Sequence, residues 1–225
     1  MPRLAGLLQS LVGKKIVMAV TGMVLFLWLL AHMIGNLHIF EGPESINHYA
    51  RWLREIGAPV LSHAQALWLV RAVLILAVGG HIWAAWAVTR ASWAARPVGY
   101  KLHQTAETTY AARTMRWGGV LLILFVVYHL LDLTFGRLNP AYVDGDVYHN
   151  VVASFSVPLV AGFYILAMAA LGLHLYHGLW SGLQTLGLHR RPTDRWRRSL
   201  AAAIAVLVFL GFISVPVAVL AGVVR

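Results

Sequence analysis

Four long apolar stretches of this sequence each carry at least one histidine well inside: His32, His81, His129, and either His174 or His177. An imidazole placed in lipid without a partner is costly, so each needs a ligand or a hydrogen bond. If the stretches are helices that alternate in direction, the histidines form two pairs at two depths. Two imidazoles on one iron fill both axial positions, so a haem held this way passes electrons and leaves no site for oxygen. Two such pairs stacked across a bilayer would hold two haems as a wire. Each ligating ring also needs an acceptor for its second nitrogen, and no residue of the sequence identifies that acceptor.

The elements that must position these rings follow from composition. The chain has 225 residues, 60% hydrophobic and 12% charged, against roughly 25% charged in soluble domains. The expected fold is an all-α integral membrane protein, a single membrane domain over 1–225 with five transmembrane helices in a haem-binding bundle. Span 1 is expected over Ile16 to Phe40 and span 2 over Ser62 to Thr89. Span 3 is expected over Trp117 to Phe135, span 4 from Val151 or later to Trp180, and span 5 over Leu200 to Val224. Each reaches the ~20 residues a helix needs to cross a bilayer. Spans 2 and 4 exceed that length, which predicts tilt or protruding ends. Pro158 and Pro216 are expected to bend or start helices. The first apolar run lacks a small-residue cleavage signature and reads as a retained helix.

The net charge is +10, and 13 of the 18 basic residues fall in three segments. These are the N-terminal segment (Arg3, Lys14, Lys15), the 90–116 loop (Arg90, Arg96, Lys101, Arg113, Arg116) and the 182–199 loop (Arg190, Arg191, Arg195, Arg197, Arg198). The intervening segments hold Glu41, Glu44, Glu55, Asp144 and Asp146. The positive-inside rule puts the N-terminus in the cytoplasm and, with five spans, the C-terminus outside. The basic balance thus reads as topology and contact with anionic membrane lipid rather than nucleic-acid binding. The basic loops could also form a platform for a soluble partner. The absence of cysteine excludes thiolate-ligated iron–sulfur clusters, disulfides and covalent haem attachment in this chain.

Helix rise sets the depths. His32 follows Lys15 by 17 residues and His129 follows Arg116 by 13, about 25 and 20 Å at ~1.5 Å per residue. Both fall in the outer half of a ~30 Å core. His81 precedes Arg90 by nine residues and His174 precedes Trp180 by six, which puts both in the inner half. His174 and His177 are three apart and share a helix face, so only one need ligate. Gly22, Gly35, Gly79-Gly80 and Gly118-Gly119 could admit a bulky planar ligand or equally serve plain helix contacts. Asp132, just beyond His129, could join a proton path or simply cap the charged surface.

The segments SLVGKKIVMAVTGMVLFLWLLAHMIGNLHIF, GPESINHYARWLR, HIWAAWAVTRASWAARPVGY, YHLLDLTFG and LHLYHGLWSGLQTLG, in that order over positions 10 to 187, resemble a known family. It is the five-helix, di-haem cytochrome b subunit, b558-type, that anchors succinate dehydrogenases and fumarate reductases in the bacterial cell membrane. The resemblance implies two noncovalent haem b groups. His32 and His129 would ligate the distal iron, and His81 and His174 the proximal one, with His177 the alternative to His174. It implies partners: a flavoprotein subunit with FAD, which carries the dicarboxylate chemistry, and an iron–sulfur subunit docked on the cytoplasmic loops. It implies quinone, menaquinone by expectation, as the electron acceptor. Some relatives carry out quinone chemistry near the distal haem with help from an acidic residue, which makes Glu55 and His63 candidates for quinone or proton handling. The chain would then be a subunit of an enzyme without itself carrying the succinate–fumarate site. Competing readings are a cytochrome b anchor of a formate dehydrogenase or hydrogenase, a haem-free proton-coupled transporter, and a haem-free structural anchor.

Overall fold

The computed structural model describes residues 6, 9–95, 110–187 and 194–225. The described elements are helical: α1 (Leu11–Leu37), a 3-10 turn (His38–Glu41), α2 (Pro43–Glu55), α3 (Gln65–Ala94), α4 (Tyr110–His129), a π turn (Leu130–Thr134), α5 (Val147–Phe155), α6 (Pro158–Thr185) and α7 (Asp194–Leu220). Five of them, α1, α3, α4, α6 and α7, are long and apolar enough to cross a membrane. The fold class is that expected: all helix among the described residues, with five candidate spans.

The boundaries differ from expectation where local chemistry overrides hydropathy. α1 begins earlier, because the Ser10 side chain accepts a hydrogen bond from the Gly13 N–H and caps it. Span 4 divides. α5 ends at Phe155, and α6 starts afresh at Pro158, whose missing N–H costs nothing at a first helical position. Pro216 is accommodated inside α7. α2 was not expected as a helix from hydropathy. Pro43 opens it, Ile46 is its buried residue, and the rest of its surface is largely polar or interfacial.

Packing centres on α6 and α7. Ala161, Ala167, Ala201 and Ala205 are nearly fully buried and let the two backbones approach. Tyr164, Met168, Leu171 and Val208 fill the space between them, joined by Met33 of α1 and Phe125 of α4. α1 packs along α3, α6 and α7, and α4 packs along α6. The outward faces stay apolar: Trp68, Leu69, Ile75, Leu76 and Trp86 of α3 are exposed. Such a surface is stable only against lipid or another apolar partner.

The two ends of the bundle differ. At one end Arg116, in the second turn of α4, lies 5.2 Å over Trp93 near the end of α3. There too Arg198, in the second turn of α7, lies 4.6 Å over Trp180 of α6. Arg96, Lys101, Arg190, Arg191 and Arg3, also expected at that end, lie outside the described residues. The other end is closed by α2 and α5. Asn47 of α2 donates to the Asp146 carboxylate at 3.0 Å and accepts from the Tyr148 N–H at 3.2 Å.

Asp146 also caps α5, accepting from the His149 N–H at 3.0 Å. The His149 N–H, and then the Asn47 amide, hold its carboxyl below the usual carboxylate range. A depressed folded-state value contributes stability above the ordinary value near 4, lost as pH falls through the lower folded value. Asp146→Ala is expected to cost about 1 kcal/mol. Asp146→Asn should keep the cap and abolish its acid sensitivity. Amide exchange in the first turn of α5, measured against pH, checks both.

Candidate functional site

The structure brings the four span histidines together in two pairs. His32 of α1 faces His129, the last residue of α4, with ring centroids 5.9 Å apart and planes at 81°. His81 of α3 faces His174 of α6 with centroids 6.2 Å apart and planes at 58°. The pairs lie at different levels. Gly22 of α1 abuts His81, and His32 stands ten residues farther along the same helix, about 15 Å at ~1.5 Å per residue.

Both pairs bridge helices that are not closely packed on each other. α1 leans on α3, α6 and α7 but not on α4, and α6 leans on α4, α7 and α1 but not on α3. The imidazoles therefore meet across gaps between backbones rather than at a seam. His32 is held by Trp28, one turn earlier, stacked on it at 4.7 Å, and is flanked by Phe212. His129 is stacked by Phe125, also one turn earlier, at 5.8 Å.

The second nitrogens have definite environments. His81 Nδ1 lies 3.1 Å from the Met18 carbonyl and 3.3 Å from Thr21 Oγ1. A carbonyl only accepts, so Nδ1 carries the hydrogen and Nε2 keeps its lone pair. His129 Nδ1 lies 3.4 Å from the Tyr164 hydroxyl, which itself donates to Asp132 at 2.8 Å. That hydrogen is committed to the carboxylate, so Nδ1 of His129 is again the donor and Nε2 the free nitrogen. His174 Nδ1 is buried and has no partner among the described residues.

These features fit an axially ligated porphyrin iron. A metal–imidazole bond of about 2 Å plus roughly 1 Å from nitrogen to ring centre puts two trans imidazole centroids about 6 Å apart, close to both observed separations. Among the described residues no three histidines or carboxylates gather as a metal cage. A pair of imidazoles is too few ligands for a bare zinc ion, which takes three or four from protein, whereas a macrocycle supplies the remainder. The unpartnered nitrogen of His174 is a further position that a ligand would complete.

The other expected residues stand apart. Glu55 ends α2 and His63 lies in the α2–α3 connection. Both are exposed, and neither shares a hydrogen bond or ring contact with the histidine pairs. His177 is only half-buried, and among the described residues no ring contact joins it to His81. Asp132 does not cap a charged surface: it is 2% exposed. The π turn after His129, closed by the Phe135 N–H to the Leu130 carbonyl at 2.8 Å, carries its carboxylate into the bundle. Of the glycines, Gly22 and Gly80 serve the α1–α3 contact and Gly35 admits Tyr49, while Gly79, Gly118 and Gly119 face open space.

Three features had no signature in hydropathy: Tyr164, the Met18 carbonyl, and a cluster at the α2 end. In that cluster His38 Nδ1 lies 3.0 Å from Glu41, and Ser45 donates to the same carboxylate oxygen. A tyrosine in an otherwise apolar helix was the available cue for Tyr164. A backbone acceptor leaves none.

No family model matches the chain, and no solved structure matches it. Over 95 residues it is 27% identical to the succinate dehydrogenase cytochrome b558 subunit of Bacillus subtilis (strain 168). That stretch is 42% of this chain and 45% of the relative, so the chain matches less than half the length of the curated protein it resembles.

Proposed function

We propose that this chain is the di-haem cytochrome b anchor of a succinate:quinone oxidoreductase. One observation carries the reading: two histidine pairs on membrane-length helices, at two levels, with ring centroids 5.9 and 6.2 Å apart. The likeness to a succinate dehydrogenase cytochrome b558 subunit supports the choice of complex. When bound, haem b between two imidazoles supplies reversible one-electron transfer with no open iron position.

The chain's own groups do the rest. His32 and His129 would hold one iron and His81 and His174 the other, with Nε2 left free to do so in the two rings whose Nδ1 has an acceptor. Trp28 and Phe125 fix ring planes by stacking. The apolar helices keep water and competing ligands out. The basic end faces the cytoplasm, the C-terminus lies outside, and the chain resides in a bacterial cell membrane. A soluble iron–sulfur subunit docks at the basic end and connects to a flavoprotein subunit with FAD, where succinate is oxidised. Quinone, of the menaquinone class, takes the electrons, with Glu55 and His63 as candidates for handling its protons at the α2 end.

Purified complex is expected to contain two haem b per chain, both reduced on adding succinate. Reduction by formate or hydrogen instead would assign the anchor to another dehydrogenase. Haem-free protein would favour a transporter or a structural anchor. With haem content intact, unchanged succinate–quinone turnover in both Glu55→Gln and His63→Asn would remove those two residues from the site.

A further inference from the structure

The pair formed by His32 and His129 differs from its counterpart in what stands behind it. His81 rests on a neutral backbone carbonyl. Behind His129 is a chain of side chains that ends in a carboxylate. Tyr164 Oη lies 3.4 Å from His129 Nδ1 and donates to Asp132 Oδ2 at 2.8 Å. Ser154 of α5 donates to the same oxygen at 2.7 Å. Asp132 is among the most completely buried large side chains, and among the described residues no lysine or arginine pairs with it. A buried carboxyl group without a cationic partner is costly, so packing alone does not account for it.

Its geometry is also specific. A π turn begins at Leu130, directly after His129, and three helices converge on one oxygen: α4 through the turn, α5 through Ser154, and α6 through Tyr164. Tyr164 is itself clamped by Phe125 at 5.1 Å and Phe155 at 4.8 Å. Its hydroxyl therefore has little freedom to turn away from Asp132.

We propose that Tyr164 and Asp132 are positioning residues for His129, holding its ring through Nδ1 and making it the more electron-donating ligand of the two pairs. The inference rests on the haem reading above. Hydrogen bonding from Nδ1–H toward an anion raises the basicity of the opposite nitrogen. A more basic ligand favours the ferric state, so the iron held by His32 and His129 has the lower potential. The asymmetry comes from a side-chain relay behind one pair and a carbonyl behind the other.

The test is potentiometric titration and low-temperature electron paramagnetic resonance of the purified complex. Wild type, Asp132→Asn and Tyr164→Phe are compared, with haem counted per chain. Asp132→Asn preserves shape and removes the charge. It is expected to shift the oxidised-to-reduced ratio of one haem about tenfold toward reduced at fixed potential, about 59 mV for one electron, and to move that haem's ferric signal. The other haem stays in place. Tyr164→Phe keeps the ring stack and should shift the same haem in the same direction. If Asp132→Asn loses haem, Tyr164→Phe decides by the same criterion. Two haems with unmoved potentials in both variants, equal movement of both haems, or haem loss from both variants would overturn the relay. A wild-type protein without two haems would instead overturn the functional reading on which it rests.

Discussion

On the proposed reading, alanine at His129 is expected to lower the haem content from two per chain to one. His129 stands 5.9 Å, centroid to centroid, from His32, and among the described residues no other imidazole faces it. If the two rings are the ligands proposed, loss of either would leave one bond to iron where two are needed. The His81–His174 pair, on different helices and about ten α-helical residues away (about 15 Å), should remain and keep its spectrum. His32→Ala should reproduce the effect, and His81→Ala and His174→Ala should remove the other haem. His177→Ala should retain both, since His174 holds the position opposite His81. Pyridine haemochrome assay of each purified variant reads the stoichiometry directly. Two haems in His129→Ala, or loss in His177→Ala, would require a different ligand set.

The second large effect is expected at a residue with no chemistry of its own. A Cβ at Gly22 would lie 3.1 Å from His81 Cε1 and 3.4 Å from Nδ1. The ring cannot simply retreat, because Nδ1 is tied to the Met18 carbonyl one turn earlier on the same helix. Gly22→Ala should therefore be felt slightly. Gly22→Val, branched at Cβ, should displace the ring and lose the haem of the His81–His174 pair while sparing the other. Overpacking of this kind costs about 1–3 kcal/mol. Absorption spectra of the variant, with Gly79→Val as a control that meets open space, separate a ligand effect from general instability.

Much of this arrangement was legible in the sequence, for identifiable reasons. Membrane-length runs are unmistakable when a chain is 60% hydrophobic, and the depth of each histidine follows from fixed helical rise. The pairing of His32 with His129 and of His81 with His174 is the one that depth arithmetic predicts. Contacts made through backbone, or across helices by side chains outside the histidine pairs, were not legible. Met18 contributes a carbonyl, which every residue has. Tyr164 stands out by residue type in its helix, but it lies 35 positions from His129, and nothing local marks that partner. Asp132, which follows an apolar run, read as either a proton-path residue or a surface cap. A π turn, which hydropathy does not encode, puts it inside instead. The break before α6 was half-legible: Pro158 marked it, while the apolar character of Val151 to Phe155 masked it.

The way the helices lean on one another bears on biogenesis. α3 rests almost entirely on α1, and α4 rests on α6, which packs along α7, so the described chain comprises two bodies that touch along one side of α1. Lipid tails are as apolar as the surfaces they cover, so the two bodies are held only by the packing of α1 on α6 and α7 and by whatever else bridges them. On the proposed reading, each tetrapyrrole has one ligand from either body and acts as a rivet between them. Maturation of the subunit and acquisition of its pigment would then be the same event, and a cell starved of porphyrin would accumulate loosely joined halves open to proteolysis.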